Sequence, residues 1–198
     1  RGPGPPPPPG GGSPHPPGPA PAPGSWGAHK THTTLADSPA RLSRADWLAS
    51  LPRNTACSAL VLHDAEYRLL LVHATYEDSW QFVGGVRDAQ DDPWTTAVRE
   101  AREEIGYELV GPPRLLGYDW VTFEDSEPAV QHFFRAPVLE PERLDSIRLS
   151  EEHDDWLLLS VEEWTRHLGP HRARRLRPVR DALRTGRPLC LRDGYPVT

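Results

Sequence analysis

Apolar and polar positions change period several times along the chain, and each change predicts an element. Residues 56–63 are apolar and partly β-branched. Residues 67–73 follow after a polar turn at 64–66, so the two runs read as a hairpin. Residues 79–83 form a short third strand running into Gly84 and Gly85. The period then lengthens. Trp94, Ala97, Val98, Ala101 and Ile105 recur at helical spacing, with Asp92 placed to cap the helix, Pro93 suited to its first position and Gly106 to its stop. Further strands are expected at 115–123, 130–138 and 156–159, and two closing helices at 161–168 and 173–184. Before the first strand, Ser43 and Asp46 resemble a capping box for a short helix ending at Leu51 and Pro52, with Trp47, Leu48 and Leu51 as its apolar stripe. Strands, one central helix, more strands and C-terminal helices predict an α+β class built as an α/β/α layered domain.

The central helix carries a second pattern. At about 100° per residue, Glu100, Glu103 and Glu104 fall within roughly 100° of one another, beside the apolar sector. Like charges at i,i+4 repel, and Glu103 and Glu104 sit in the last turn, where the helix dipole already places negative charge. A sequence that breaks a local rule in this way often does so at a functional site. A bound divalent cation would reverse the sign of the repulsion, and Mg²⁺ favours hard oxygen ligands bridged to phosphates. Arg99 and Arg102 are close enough to pair with the acids, so a solvated charged face is the competing reading of the helix taken alone.

Composition sets the frame. Residues 1–24 hold twelve prolines and seven glycines, too few apolar side chains to offset ordering, and read as a disordered or polyproline-II tail. With a continued linker the tail spans residues 1–42, and the folded domain 43–198. The formal net charge is −6, which argues against general nucleic-acid binding. Cys57 and Cys190 are the only cysteines and form no disulfide framework or CxxC spacing. No apolar run is long enough to span a membrane, and the start lacks the order of a signal peptide, so a cytoplasmic location is expected. Lys30 is the only lysine among 22 basic residues, the bias of a GC-rich bacterial genome.

The stretch from Gly85 to Tyr107 closely resembles the Nudix box, a 23-residue signature of glycine, five residues, glutamate, seven residues, then Arg-Glu-aliphatic-x-Glu-Glu-x-Gly-aliphatic. Gly85 stands first, Asp91 at the first acidic position, then Arg99-Glu100, Glu103-Glu104 and Gly106. Asp91 replaces the usual glutamate, Val83 stands where a proline often precedes the glycine pair, and Tyr107 closes the box in place of a smaller aliphatic. None of these removes an expected metal ligand. The order of elements from 56 to 184 also resembles the family's sandwich of a mixed sheet between helices.

The resemblance implies a Mg²⁺-dependent hydrolase, with Mn²⁺ able to substitute, that cleaves a phosphoanhydride bond in a nucleoside diphosphate derivative or a nucleoside triphosphate. It implies Glu103 and Glu104 as principal metal ligands, Glu100 as a further ligand or the base, the Gly84 carbonyl as a loop ligand, and Arg99 as the residue that orients the carboxylates. A further acid often comes from outside the box. Glu152 is the first choice, followed by Glu151 and Asp155, with His153 in a supporting or surface role. Arg87, Trp80 and Tyr118 are candidates for substrate binding, in competition with surface and core roles. The partner is a small-molecule nucleotide, and a homodimer is left open. The alternative reading is a non-catalytic Nudix-fold sensor of a nucleotide metabolite.

Overall fold

The computed structural model describes residues 42–197, so the expected tail lies almost wholly outside the described residues. In chain order the elements are α1 (Arg44–Ser50), β1 (Thr55–His63), β2 (Leu69–Ala74), β3 (Ser79–Gln81), β4 (Val83–Val86), α2 (Pro93–Ile105), β5 (Leu115–Val121) and β6 (Ala129–Val138). They continue with α3 (Pro141–Leu144), β7 (His153–Leu159), α4 (Val161–Arg172), α5 (Leu176–Thr185), β8 (Leu189–Arg192) and β9 (Tyr195–Pro196). No helix among the described residues is long and apolar enough to cross a membrane.

The strands form one mixed sheet in the order β3-β2-β1-β6-β5-β8-β9, with β4 added to β1 and β7 added to β2. Parallel pairing joins β1 to β6 and β5 to β8; the remaining pairs are antiparallel. The predicted hairpin is present, but its strands stay registered only beside the turn, at His63 and Leu69. Beyond that point β1 takes β4 as its neighbour, and β2 takes β7 and β3. This parting of β1 from β2 opens the middle of the sheet.

Strand parity divides the core. Ala59, Val61, Leu69 and Leu71 face one way, onto Trp164, Leu176, Val179 and Leu183 from α4 and α5. Leu60, Leu62, Leu70 and Val72 face the other way, onto Ala97, Ala101 and Ile105 of α2. Each strand is therefore apolar on both faces, as a sheet sandwiched between helices requires.

Several sequence expectations need correction. The expected third strand is two strands separated at Phe82. The helix expected at 161–168 runs to Arg172 through a break at Gly169 (φ 78°, ψ 158°), and the last helix starts at Leu176 rather than 173. The short helix α1 forms, with the Ser43 hydroxyl accepting from Asp46 N–H at 3.1 Å. Its expected apolar stripe is not buried: Trp47, Leu48 and Leu51 are all exposed.

Candidate active site

Helix α2 begins where its sequence says it should. The Asp92 carboxylate accepts from the N–H groups of Trp94 (2.8 Å) and Thr95 (2.9 Å), and Gly106 ends the helix in a left-handed conformation. Ala97, Ala101 and Ile105 are buried, and Trp94 packs edge-on against Phe134. This packing fixes the rotation of the helix and so the direction of its acids.

The strand β4 lies beside the helix and supplies the glycine pair. Gly84 has φ 148°, and a Cβ there would stand 2.0 Å from the Ser58 carbonyl oxygen, so only glycine fits. Its N–H donates to Glu104 Oε2 at 2.9 Å. A Cβ on Gly85 would stand 2.6 Å from Glu100 Oε1, so the missing side chain is the space that Glu100 occupies.

The three glutamates are not equivalent. Glu104 is buried at 5% exposure, although the helical wheel leaves it at the margin of the apolar sector. Burial pushes its pKa up to about 8; the Gly84 N–H opposes this, while the charges of Glu100, Glu152 and Glu103 add to it. Glu100 is also raised, chiefly by burial, with Arg99 working against the shift. Glu103 is exposed and bonds to Arg99 Nη1 at 2.9 Å.

Arg99 ties the group together. Its guanidinium lies 3.1 Å from Asp91 Oδ2, 2.9 Å from Glu100 Oε1 and 3.7 Å from Asp88. Partial burial works against its charge, but the bonds to Asp91 and Glu103 outweigh this and hold its pKa above the usual range. Asp91 thus contacts the box arginine directly, despite being one methylene shorter than glutamate.

Gly84, Gly85, Arg99 and the three glutamates line a cleft of about 540 Å³ with Tyr76, Asp88, Ser150, Glu151 and Glu152. Glu151 and Glu152 arrive from the turn before β7, which Thr75 anchors by donating its N–H to the Glu152 carbonyl at 2.9 Å. Asp155 does not line the cleft; it accepts from the Trp156 N–H instead. His153 is buried, its Nε2 lying 3.7 Å from Glu104 Oε1 and 3.3 Å from Gln81 Nε2. Burial lowers its pKa and favours the neutral imidazole.

The expected substrate residues scatter. Trp80 lines an adjoining cavity, packed between His73 and Trp164. Arg87 is exposed and donates to the carbonyls of Asp88, Ala89 and Asp91, bracing the loop rather than facing the cleft. Tyr118 is exposed on β5, where its hydroxyl accepts from Cys190 Sγ at 3.1 Å. Sequence reasoning missed Tyr76, Asp88 and Ser150, which reach the cleft from loops whose place is set by sheet pairing.

The donor set fits a divalent cation: several carboxylates around one cleft, two of them disfavoured as anions by burial. Among the described residues no three acidic or imidazole groups stand preassembled around one point. Glu100 and Glu103 are instead engaged by Arg99.

The NUDIX domain family model matches residues 52–181. The chain is 36% identical over 70 residues to a CMP-5'-(N-acetyl-N-hydroxy-3-aminopropyl)phosphonate hydrolase of Streptomyces rubellomurinus, a match covering 33% of this chain and 34% of that relative. Among solved structures, the E. coli ORF135 protein aligns at TM-score 0.54 and 21% identity over 69% of this chain and 95% of its own. The NUDIX hydrolase from Nitrosomonas europaea aligns at TM-score 0.53 and 17% identity over 73% and 94%. At these identities the structural likeness speaks for the fold, a mixed sheet between helices. Together with the family match across most of that fold, it establishes that the chain belongs to the Nudix hydrolase superfamily.

Proposed function

We propose that the protein is a Mg²⁺-dependent hydrolase of a phosphoanhydride-type bond in a nucleoside diphosphate derivative or nucleoside triphosphate. The observation that carries this is the convergence of Glu100, Glu103, Glu104 and Glu152 on one cleft floored by Gly84 and Gly85. Buried like charges without a counter-charge are costly, and Glu104 holds its proton up to about 8. Glu103, Glu104 and Glu152 are the residues that would hold the metal, with Glu100 and the Gly84 backbone completing the set. When bound, the metal neutralises substrate phosphates and acidifies a water. Arg99 orients Glu100 and Glu103, while Glu100, tucked against Gly85, is positioned to take a proton.

The activity of the Streptomyces relative, a CMP-5'-phosphonate hydrolase, supports a nucleoside monophosphate joined to a second phosphorus acid as the substrate class. The acidic overall charge supports a small-molecule partner rather than nucleic acid.

The test is a panel of nucleoside triphosphates, nucleoside diphosphate derivatives and cytidylyl phosphonates with Mg²⁺ or Mn²⁺, read by mass spectrometry of products. Turnover should vanish in chelator, and Glu103→Gln and Glu104→Gln should each lose most of it. Wild-type rates in both variants would remove these residues from the site. Tight binding without turnover would turn the assignment toward a sensor.

A further inference from the structure

Tyr76, Gly84, Gly85 and Val86 line both the acidic cleft and a second cavity of about 340 Å³. The two sites therefore share a rim, but their chemistry is opposite. The second cavity has apolar walls from Leu71, Phe82 and Leu176, the Trp80 ring at its side, and a guanidinium, Arg175, among its polar groups.

Arg175 is held in place from two directions. Its Nη1 donates to Gln131 Oε1 at 3.2 Å, and its Nη2 lies 3.4 Å from Asp119 Oδ2. Asp119 is fully buried, and its other oxygen accepts the Gly194 N–H at 3.0 Å. Arg174 also acts on Asp119 through its charge, but Arg175 is its ion-pair partner among the described residues. A guanidinium carries five N–H donors and no acceptor, and these two partners engage only part of them. Gln131, whose carbonyl is committed to Arg175, has its amide N–H groups left to donate. Gln81 is set the other way: its amide nitrogen contacts Tyr76 and His153, which leaves its carbonyl oxygen as an acceptor. The cavity thus combines apolar walls with the donors of Arg175 and Gln131 and the acceptor of Gln81, beside Tyr76, Arg172 and Arg174, at a size near the lower end for small-molecule sites.

We propose that this cavity is a nucleobase site selective for a cytosine-type edge, and that Arg175 is its specificity-determining residue. Cytosine presents two adjacent acceptors, O2 and N3, beside an amino donor, N4. That matches donors from Arg175 and Gln131 and the acceptor of Gln81. Uracil replaces the N3 acceptor by a donor and the amino donor by an acceptor, which would set N–H against N–H. A site built to hydrogen-bond one edge rejects the analogue that leaves its buried groups unpaired. Asp119 and Gln131 are positioning residues for Arg175. The assignment rests on the hydrolytic reading only for the direction of the bound molecule, with its phosphorus over Gly84 and Gly85.

Calorimetric binding in chelator tests the site without turnover. The probes are the 5'-monophosphates of cytidine, uridine, adenosine and guanosine, with inorganic phosphate as the anion control. Cytidine monophosphate should bind about tenfold or more tightly than uridine monophosphate. Arg175→Ala should collapse that ratio, and Arg175→Lys should fail to restore it, since a point charge lacks the fork of donors. Gln131→Leu, at a half-buried position, gives a second reading should Arg175→Ala fail to fold by circular dichroism, and should also lower the ratio. Equal affinity for all four nucleotides, or displacement of cytidine monophosphate by an equal concentration of phosphate, would overturn the proposal. Selective binding with no hydrolysis of any cytidylyl compound would leave the base site standing and remove the hydrolytic reading. Hydrolysis without base preference would do the reverse.

Discussion

Glu104 is the residue where burial and charge conflict most. With its ordinary pKa at 4.5 in the unfolded chain and about 8 in the folded one, the native state binds the extra proton between those values. Stability must therefore fall as pH rises from about 4.5 to 8, by an amount on the order of a few kcal/mol. In chelator, the thermal midpoint of wild type should drop across this window, and Glu104→Gln should flatten the slope and melt higher at pH 8. Added Mg²⁺ should recover the midpoint of wild type at that pH and do little for the variant. A variant that melts no higher than wild type at pH 8 would show that Glu104 is not the strained group. Arg99→Ala acts through a different route. It frees Asp91, Glu100 and Glu103 at once, and activity should fall about 10- to 100-fold, the usual effect of losing a residue that orients ligands. The three acids were legible from their spacing. The burial of Glu104 was not, because a wheel shows direction but not how closely β4 approaches the helix.

At the scale of elements, α2 and β4 do separable jobs, and mutations should separate them. Asp92→Ala removes a carboxylate that accepts two backbone N–H bonds at the start of α2. It should cost about 1 kcal/mol, visible as a midpoint lowered by about 2–4 °C, with activity per folded molecule kept. The two glycines of β4 should behave unlike each other. At Gly84 a methyl would meet the Ser58 carbonyl of β1 at 2.0 Å, a rigid backbone contact at a positive φ, so Gly84→Ala should disrupt the β1–β4 ladder and lower stability severely. At Gly85 the same methyl meets only the end of the Glu100 side chain, so Gly85→Ala should fold normally and lose activity by displacing that carboxylate. Thermal melts and turnover measured together decide it; equal melting of the two variants would contradict the contrast. Helix α2 was legible to the residue because Asp92, Pro93 and Gly106 mark its ends locally. Strands β8 and β9 were not, since Leu189–Arg192 gains strand character only by pairing in parallel with β5, about seventy positions away.

At the scale of the molecule, the sheet separates two tasks by parity. Odd positions of β1 and β2 bind the layer of α4 and α5; even positions of β1 and β2 bind α2. The acidic cleft belongs to the α2 side, whereas the base-sized cavity is walled by Leu71, Phe82 and Leu176 from the other core, and the two meet where β4 passes between them. The order of the elements predicted an α/β/α layered domain, but no local pattern predicted the parting of β1 and β2 that lets the clefts meet. This arrangement makes a directional claim about core mutations. Trp164 is fully buried in the α4 layer, donates Nε1–H to the Leu69 carbonyl at 2.8 Å and packs 5.2 Å from Trp80, which lines the cavity. Trp164→Phe removes that hydrogen bond, a cost of about 0.5–1.5 kcal/mol, and loosens the support of Trp80 while leaving α2 untouched. Its effect should appear as a raised KM with kcat nearly held. Ile105→Val, in the α2 layer, costs about 0.5–1.5 kcal/mol and sits next to Glu104, so its effect should appear in kcat with KM nearly held. If both variants shift the same constant, the two layers act as one unit, and the separation of binding from chemistry across the sheet is wrong.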